Sequence, residues 1–206
     1  MSQGQPAQVY HCERAGSVHA DALLSLFDGA ASGCFCNYWY FEGDKNAWLE
    51  RCYIKPEANR AALVERLARP ELCGVVALAP RGQVCGWMNV SRASSVPRLY
   101  DQRVYRNLPC FQGDAAARAD VFAVACCYVA EAERGRGVGR ALLTRAIAEV
   151  RDAGGSALEA FPRVAPEGEK LRPDEIWLGP AALFAAAGFR PVSDFRPYPV
   201  LRLHLR

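Results

Sequence analysis

The sequence has no long apolar run, because no stretch approaches the ~18 residues that a membrane-spanning helix requires. Its beginning, MSQGQPAQVYHCER, has no basic segment followed by an apolar one, so we expect no secretory signal and a cytoplasmic protein. The chain also has little excess charge, since 25 Lys and Arg residues are balanced by 22 Asp and Glu residues. A net charge of +3 gives no reason to expect a nucleic acid or a membrane as a partner.

Histidines are few and dispersed, which limits the metal sites that the chain could form. Cys34 and Cys36 could begin such a site, but no second pair of ligands follows at zinc-finger spacing, so we expect no metal. The nine cysteines are odd in number and lie in apolar segments. This pattern favours free, mostly buried thiols in a reducing compartment.

Repeats and low-complexity segments are also lacking, and the hydrophobic pattern favours a single α/β domain over residues 1–206. Strands are predicted over residues 7–14, 119–130, 155–162 and 198–206 and in a hairpin at 73–90. Helices are predicted over 17–31, 56–70, 137–153 and 179–189, with Ser17 as the first N-cap and a turn at Gly82 in the hairpin. The unbroken apolar run at 119–130 indicates a central strand that is covered on both faces. We therefore expect a mixed sheet with helices on both sides.

One loop stands out, ERGRGVGRALL at residues 133–143, with three alternating glycines between arginines. Glycine lets the backbone approach a ligand closely, and the N-terminus of the following helix attracts an anion. The spacing fits neither the Rossmann nor the Walker phosphate-binding pattern. It does fit R-x-x-G-x-G at Arg134, Gly137 and Gly139. A tight strand-to-helix turn without a ligand is the alternative explanation of these glycines.

This loop resembles the acyl-CoA loop of the GNAT acyltransferase superfamily. The segment LFAAAGFRPV, which contains Phe184, Gly188 and Phe189, is similar to a late motif of that superfamily, and the predicted order of elements agrees over nearly the whole chain. The resemblance implies a GNAT-like fold with a mostly antiparallel central sheet. It also implies transfer of acetyl from acetyl-CoA to a small-molecule or peptide amine, and it leaves a homodimer open.

The resemblance further implies which residues hold acetyl-CoA. Backbone amides from Gly135 to Arg140 would cradle the pyrophosphate, and the backbones of Cys127 and Val129 would pair with the pantetheine arm. The N–H of Val129 would polarise the thioester carbonyl. The cofactor-binding residues are then Cys127, Val129, Arg134, Gly135, Arg136, Gly137, Val138, Gly139, Arg140 and Phe184. Many members carry an Asn after the next strand that holds the pantetheine, but none occurs here, so that contact is either lost or supplied by another group. The extended loop at 162–179 would also reshape the cofactor channel.

An amine acceptor must lose a proton before it attacks, and Glu159 on the strand beside the central one is the candidate base. Many members have a Tyr that protonates the CoA sulfur where this chain has Phe184. Either Tyr198 or Tyr128 would serve as the donor here, or no donor is required, because a thiol leaves as thiolate at little cost near neutral pH. The resemblance assigns the acceptor wall to the aromatic connection after the first helix, with Phe35, Tyr38, Trp39 and Tyr40. Two other functions remain open: an acyl-CoA-binding sensor without turnover, and a scaffold whose aromatic segment contacts protein partners.

Overall fold

The computed structural model describes residues 10–30, 32–112 and 115–205, and it contains a seven-stranded sheet of order β1-β2-β3-β4-β5-β7-β6. Its strands are β1 (His11–Arg14), β2 (Val75–Leu78), β3 (Val84–Arg92), β4 (Val121–Val129), β5 (Ala157–Ala160), β6 (Arg190–Ser193) and β7 (Val200–His204). Only β4 and β5 pair in parallel; the other neighbouring strands are antiparallel. This arrangement confirms the predicted mixed, mostly antiparallel sheet.

The α-helices connect these strands. They are α1 (Ala20–Gly29), α2 (Lys45–Tyr53), α3 (Pro56–Leu67), α4 (Pro97–Tyr100), α5 (Val138–Asp152) and α6 (Ala181–Ala186). The four predicted helices correspond to α1, α3, α5 and α6, and the hairpin turns at Gly82 as expected. Within the described ranges, no helix is long and apolar enough to cross a membrane.

Three elements were not predicted, and one predicted cap is wrong. The sequence did not predict α2, α4 and β6. The helix α2 buries none of its residues, so its sequence has no apolar stripe with a helical period. Ser17 does not cap α1, because residues 17–19 form a 3₁₀ turn and α1 begins at Ala20. Residues 7–9 of the predicted first strand lie outside the described residues.

Alternating side chains of the sheet build a separate core on each face. Val75 and Met88 pack with the buried face of α5, whereas Val76 and Trp87 pack with residues of α1 and α3. The helices α5 and α1 therefore cover opposite sides of the sheet, as predicted.

The strands β4 and β5 diverge after a short parallel ladder. They pair only where Val121–Ala123 lie beside Ala157–Glu159, and an irregularity on the β3 side, between Asn89 and Val90, shifts the register of β4. A bulge of this kind increases the local twist of a strand. The first five residues of β4 are buried and the last four are only partly buried, so a cleft begins where the two strands separate.

Candidate functional site

A cavity of about 1280 Å³ occupies this cleft. Its wall contains the C-terminal half of β4, the glycine loop, the end of α1, part of the aromatic connection and the segment that precedes α6. The residues predicted to bind acetyl-CoA that line it are Cys127, Val129, Arg134, Gly135, Gly137, Val138 and Gly139. Of the predicted acceptor residues, Tyr38 and Trp39 line the same cavity. The structure thus brings the glycine loop and two of the four predicted acceptor residues to the same cavity.

The glycine loop exposes its backbone to the cavity. Gly135 and Gly137 have φ angles of +73° and +90°, a conformation that side chains disfavour. Apart from the glycine itself and its two neighbours in the chain, no atom of the described residues lies within 4 Å of the position that a Cβ would take at either glycine. Since α5 begins at Val138, its unpaired N–H groups lie at the same edge of the cavity. Bare backbone beside a helix N-terminus fits a pyrophosphate.

The three loop arginines differ in their contacts. Arg134 lines the cavity, and its Nε donates to the carbonyl oxygen of Val129 at 3.0 Å. Arg136 Nη1 lies 3.5 Å from a carboxylate oxygen of Glu133, and Arg140 is exposed on α5. Neither Arg136 nor Arg140 lines the cavity in the described part of the chain. Of the three, Arg134 is therefore the one placed to contact a ligand without moving.

The backbone of β4 presents alternate residues to the cleft. The N–H of Ala130 donates to the carbonyl of Cys85 on the β3 side, so the alternation of an antiparallel ladder directs the polar groups of Cys127 and Val129 away from β3. This is the side that the pantetheine arm would need. However, the N–H of Cys127 donates to the carbonyl oxygen of Trp177 at 2.7 Å. Two backbone groups predicted to pair with pantetheine therefore already have partners. The N–H of Cys127 is bonded to Trp177, and the carbonyl oxygen of Val129 accepts from Arg134.

Trp177 is a site residue that the sequence reading did not identify. Its ring stacks on Trp39 with centroids 5.3 Å apart and planes 17° from parallel, and Trp39 Nε1 donates to the carbonyl of Ala125 at 2.8 Å. The two tryptophans therefore cover the open edge of β4. The sequence offered two hints that the loop at 162–179 is unusual, the missing Asn and the length of the loop. Neither hint could predict that Trp177 contacts β4, which is distant in the sequence.

Glu159 does not have the surroundings of a general base. It is fully buried on β5 and is not among the residues that line the cavity. One carboxylate oxygen accepts from Tyr100 at 2.6 Å and from Arg118 at 2.8 Å, and the other accepts from Arg202 at 2.6 Å. Two guanidinium groups and a phenol hydroxyl thus surround the carboxylate. The structure thus places Glu159 in a buried ion-pair centre and not in the cavity, where the predicted base would have to act.

Four other predicted residues also lie behind the cavity wall. Phe184 is fully buried and packs against Phe189 at 5.3 Å between centroids, whereas its neighbour Leu183 lines the cavity. The side chain of Phe35 packs with α1 and α3 in the core, and the hydroxyl of Tyr40 hydrogen-bonds to Asn89 at 2.9 Å. Tyr198 packs in the aromatic core beneath the 93–118 connection, and Tyr128 lines the cavity instead.

The cysteines contribute free thiols to the site. Cys34, Cys36, Cys126 and Cys127 line the cavity. Across the described residues, no group of three or more His, Cys, Asp or Glu side chains is arranged to hold a metal ion.

Comparison with known proteins agrees with this architecture. A family model described as acetyltransferase (GNAT) family matches residues 48–169. The fold resembles an N-acetyltransferase from Staphylococcus aureus Mu50, at 17% identity and a TM-score of 0.55, over 96% of this chain and 99% of that chain. It also resembles the GNAT domain of S. lividans PAT, at 18% identity and a TM-score of 0.53, over 98% and 100% of the two chains.

A third similar structure is the PaiA N-acetyltransferase of Thermoplasma acidophilum in complex with coenzyme A, at 8% identity and a TM-score of 0.55, over 95% of this chain and 99% of that chain. At such identities the likeness concerns the fold alone. Among curated proteins, none matches the sequence.

Proposed function

The chain belongs to the acetyltransferase (GNAT) family, and we propose that it transfers the acetyl group of acetyl-CoA to an amine by direct attack on the thioester. The observation that carries the proposal is the shared cavity. The open backbone at Gly135 and Gly137, the N-terminus of α5 and the cleft side of β4 all line it. Acetyl-CoA is the co-substrate that suits these surfaces, because its pyrophosphate fits the glycine loop with the N-terminus of α5 and its pantetheine fits the cleft side of β4.

Different residues bind the cofactor and polarise its thioester. The loop amides and Arg134 hold the pyrophosphate, and the N–H of Val129 directs its dipole toward the thioester carbonyl, where charge develops during attack. The acceptor enters over Tyr38, Trp39 and Trp48, which are aromatic walls that suit an apolar or cationic group. The proton of the amine passes to water or to Glu131, Glu133 or Asp174, the carboxylates that line the cavity.

The direct test measures release of the CoA thiol when the purified protein receives acetyl-CoA and a panel of amines. Release that depends on one class of amine supports the enzyme. A second function, an acyl-CoA-binding module without turnover, is favoured by one observation, the position of Glu159, the predicted general base, outside the cavity. If acetyl-CoA raises the melting temperature while no amine elicits thiol release, the binding module is the correct function.

Trp39→Ala is expected to raise the KM for the acceptor more than the KM for acetyl-CoA. Trp39 is 5% exposed and forms the part of the aromatic wall closest to Ala125. Steady-state kinetics with each substrate varied in turn would measure the two constants. Trp39→Phe keeps most of the ring and loses the Nε1 donor, so it separates the wall from the hydrogen bond. A larger change in the KM for acetyl-CoA would place the acceptor elsewhere.

Tyr198→Phe is expected to lower kcat by less than about tenfold, or ~1.4 kcal/mol of activation free energy. The hydroxyl of Tyr198 is not needed as an acid, because a thiol with a pKa near ~8.5 leaves as thiolate at little cost. Tyr128→Phe is the comparison variant, since Tyr128 lines the cavity and Tyr198 does not. A thousandfold loss of kcat in Tyr198→Phe, with acetyl-CoA binding intact, would show that this hydroxyl is an essential acid.

A further inference from the structure

The sulfur of Cys36 is surrounded by hydrogen-bond donors. Trp87 Nε1 and Asn89 Nδ2 each lie 3.2 Å from Cys36 Sγ, and Cys126 lies directly opposite Asn89 in the pairing of β3 with β4. Trp87 and Asn89 are fully buried, so their donors have no water as an alternative partner. Two buried N–H donors directed at one sulfur stabilise a thiolate more than a thiol.

Arg66 supplies the matching positive charge. It is 9% exposed, and its guanidinium donates to the carbonyl oxygen of Cys36 at 3.2 Å and lies 4.1 Å from the centre of the Tyr40 ring. Within the described residues, Arg66 forms no ion pair with a carboxylate. A buried cation needs a counter-charge, and ionised Cys36 would provide it.

The titration of the two thiols agrees with this geometry. Burial raises the pKa of Cys36, but the bond from Cys126, the charge of Arg66 and the two N–H donors outweigh it and lower that pKa to about 7. The same bond to Cys36, followed by burial, raises the pKa of Cys126 well above its ordinary value. The titratable or charged groups around Cys36 are Arg66, Tyr40, Cys34, Cys73 and Cys126. A thiolate beside a protonated thiol is the arrangement of an oxidisable cysteine with a resolving partner.

The backbone at Cys36 is also unusual. Phe35 and Cys36 have φ angles of +44° and +57°, a conformation that non-glycine residues rarely adopt. Such residues cluster at functional sites because the surrounding structure must hold them there. Both Cys36 and Cys126 line the large cavity, through which a small oxidant can arrive.

We propose that Cys36 is a hydroperoxide-reactive thiolate and that Cys126 resolves its oxidised form to an intramolecular disulfide in the wall of the cavity. The Cys36 sulfur attacks one oxygen of the hydroperoxide, so an S–O bond forms and the O–O bond breaks. The other oxygen leaves as an alcohol or water after it takes a proton from solvent. Cys126 then attacks the sulfenic sulfur, the S–S bond forms, and the hydroxyl leaves as water with the proton of the Cys126 thiol. The hydroperoxide is reduced by two electrons as the two thiols are oxidised.

Intact mass spectrometry of the full, reduced chain after addition of hydrogen peroxide tests the proposal, and adjacent cysteines provide matched controls. We expect a loss of two hydrogen atoms that dithiothreitol reverses in the wild type, in Cys34→Ser and in Cys127→Ser. Neither Cys36→Ser nor Cys126→Ser should lose them. Burial raises the pKa of Cys34 to about 11 and that of Cys127 to about 12, so neither control thiol should react first.

Cys126→Ser should instead trap sulfenic acid, which dimedone labels at Cys36. Alkylation of Cys36 by iodoacetamide should also rise through a midpoint near pH 7. Circular dichroism would confirm that each variant is folded. Loss of the disulfide in Cys34→Ser, its survival in Cys36→Ser or Cys126→Ser, or the absence of dimedone labelling at Cys36 would overturn the proposal. None of these measurements depends on acetyl transfer, so the proposed function is tested separately.

Discussion

Gly139→Asp is expected to weaken acetyl-CoA binding at least tenfold, which corresponds to about 1.4 kcal/mol. Gly139 lies in the first turn of α5, where a carboxylate would face the pyrophosphate and repel it. The chain has room for the side chain, because outside the neighbouring residues and the backbone of α5 the nearest atom to a Cβ at this position is in Leu183, 3.6 Å away. The fold should therefore tolerate the change, and a calorimetric titration with CoA would measure the affinity.

Gly139→Ala is the matched control for this prediction, since it adds the Cβ without the charge. We expect its affinity for CoA to lie close to that of the wild type. Gly137→Asp is a less clean variant, because Gly137 has a φ of +90° and a side chain there strains the loop in addition to repelling the ligand. If both Asp variants are folded and bind CoA as the wild type does, the loop is only a turn between β4 and α5.

The glycine loop could be predicted because all the residues that identify it lie close together in the sequence. Alternating glycines, the arginine before them and the apolar helix after them lie within eleven residues, 133–143, and the physical constraints that they express depend on no distant part of the chain. The central strand and the helix α5 could be predicted for the same reason, because their apolar periodicity is strong.

The contents of the cleft could not be predicted, because they depend on contacts between distant segments. Trp177 meets β4 through the backbone of Cys127, and the Cys36 sulfur meets Trp87, Asn89 and Cys126 across three elements. A sequence shows that such side chains exist, but only the fold places them together. The position of Glu159 inside an apolar strand suggested a base beside the thioester, but its partners Arg118 and Arg202 come from distant segments that the strand itself does not reveal.

The second large effect is expected from Glu159→Gln, which should destabilise the fold by roughly 3–5 kcal/mol. The substitution removes a fully buried charge and leaves Arg118 and Arg202 without the carboxylate between them. Both guanidinium groups are about one-fifth exposed, so water compensates only part of the loss. For a chain of this size the melting temperature should fall by roughly 10 °C, which calorimetry would measure.

A structural Glu159 and a catalytic Glu159 differ in what the same variant does to the reaction. Below its own melting temperature, Glu159→Gln should keep the pH dependence of kcat/KM, because the carboxylate is enclosed by Tyr100, Arg118 and Arg202 and does not line the cavity. Glu175→Gln is the control for stability, since its pair with Arg163 is partly exposed and should contribute at most about 1 kcal/mol. A stable Glu159→Gln variant that has lost the acidic limb of its pH profile, the fall of kcat/KM at low pH, would return Glu159 to the role of proton acceptor. A destabilised variant with an unchanged profile would mean that the two ion pairs of Glu159 hold β5 to β7, through Arg202, and to the turn before β4, through Arg118, while the proton of the acceptor leaves by another route.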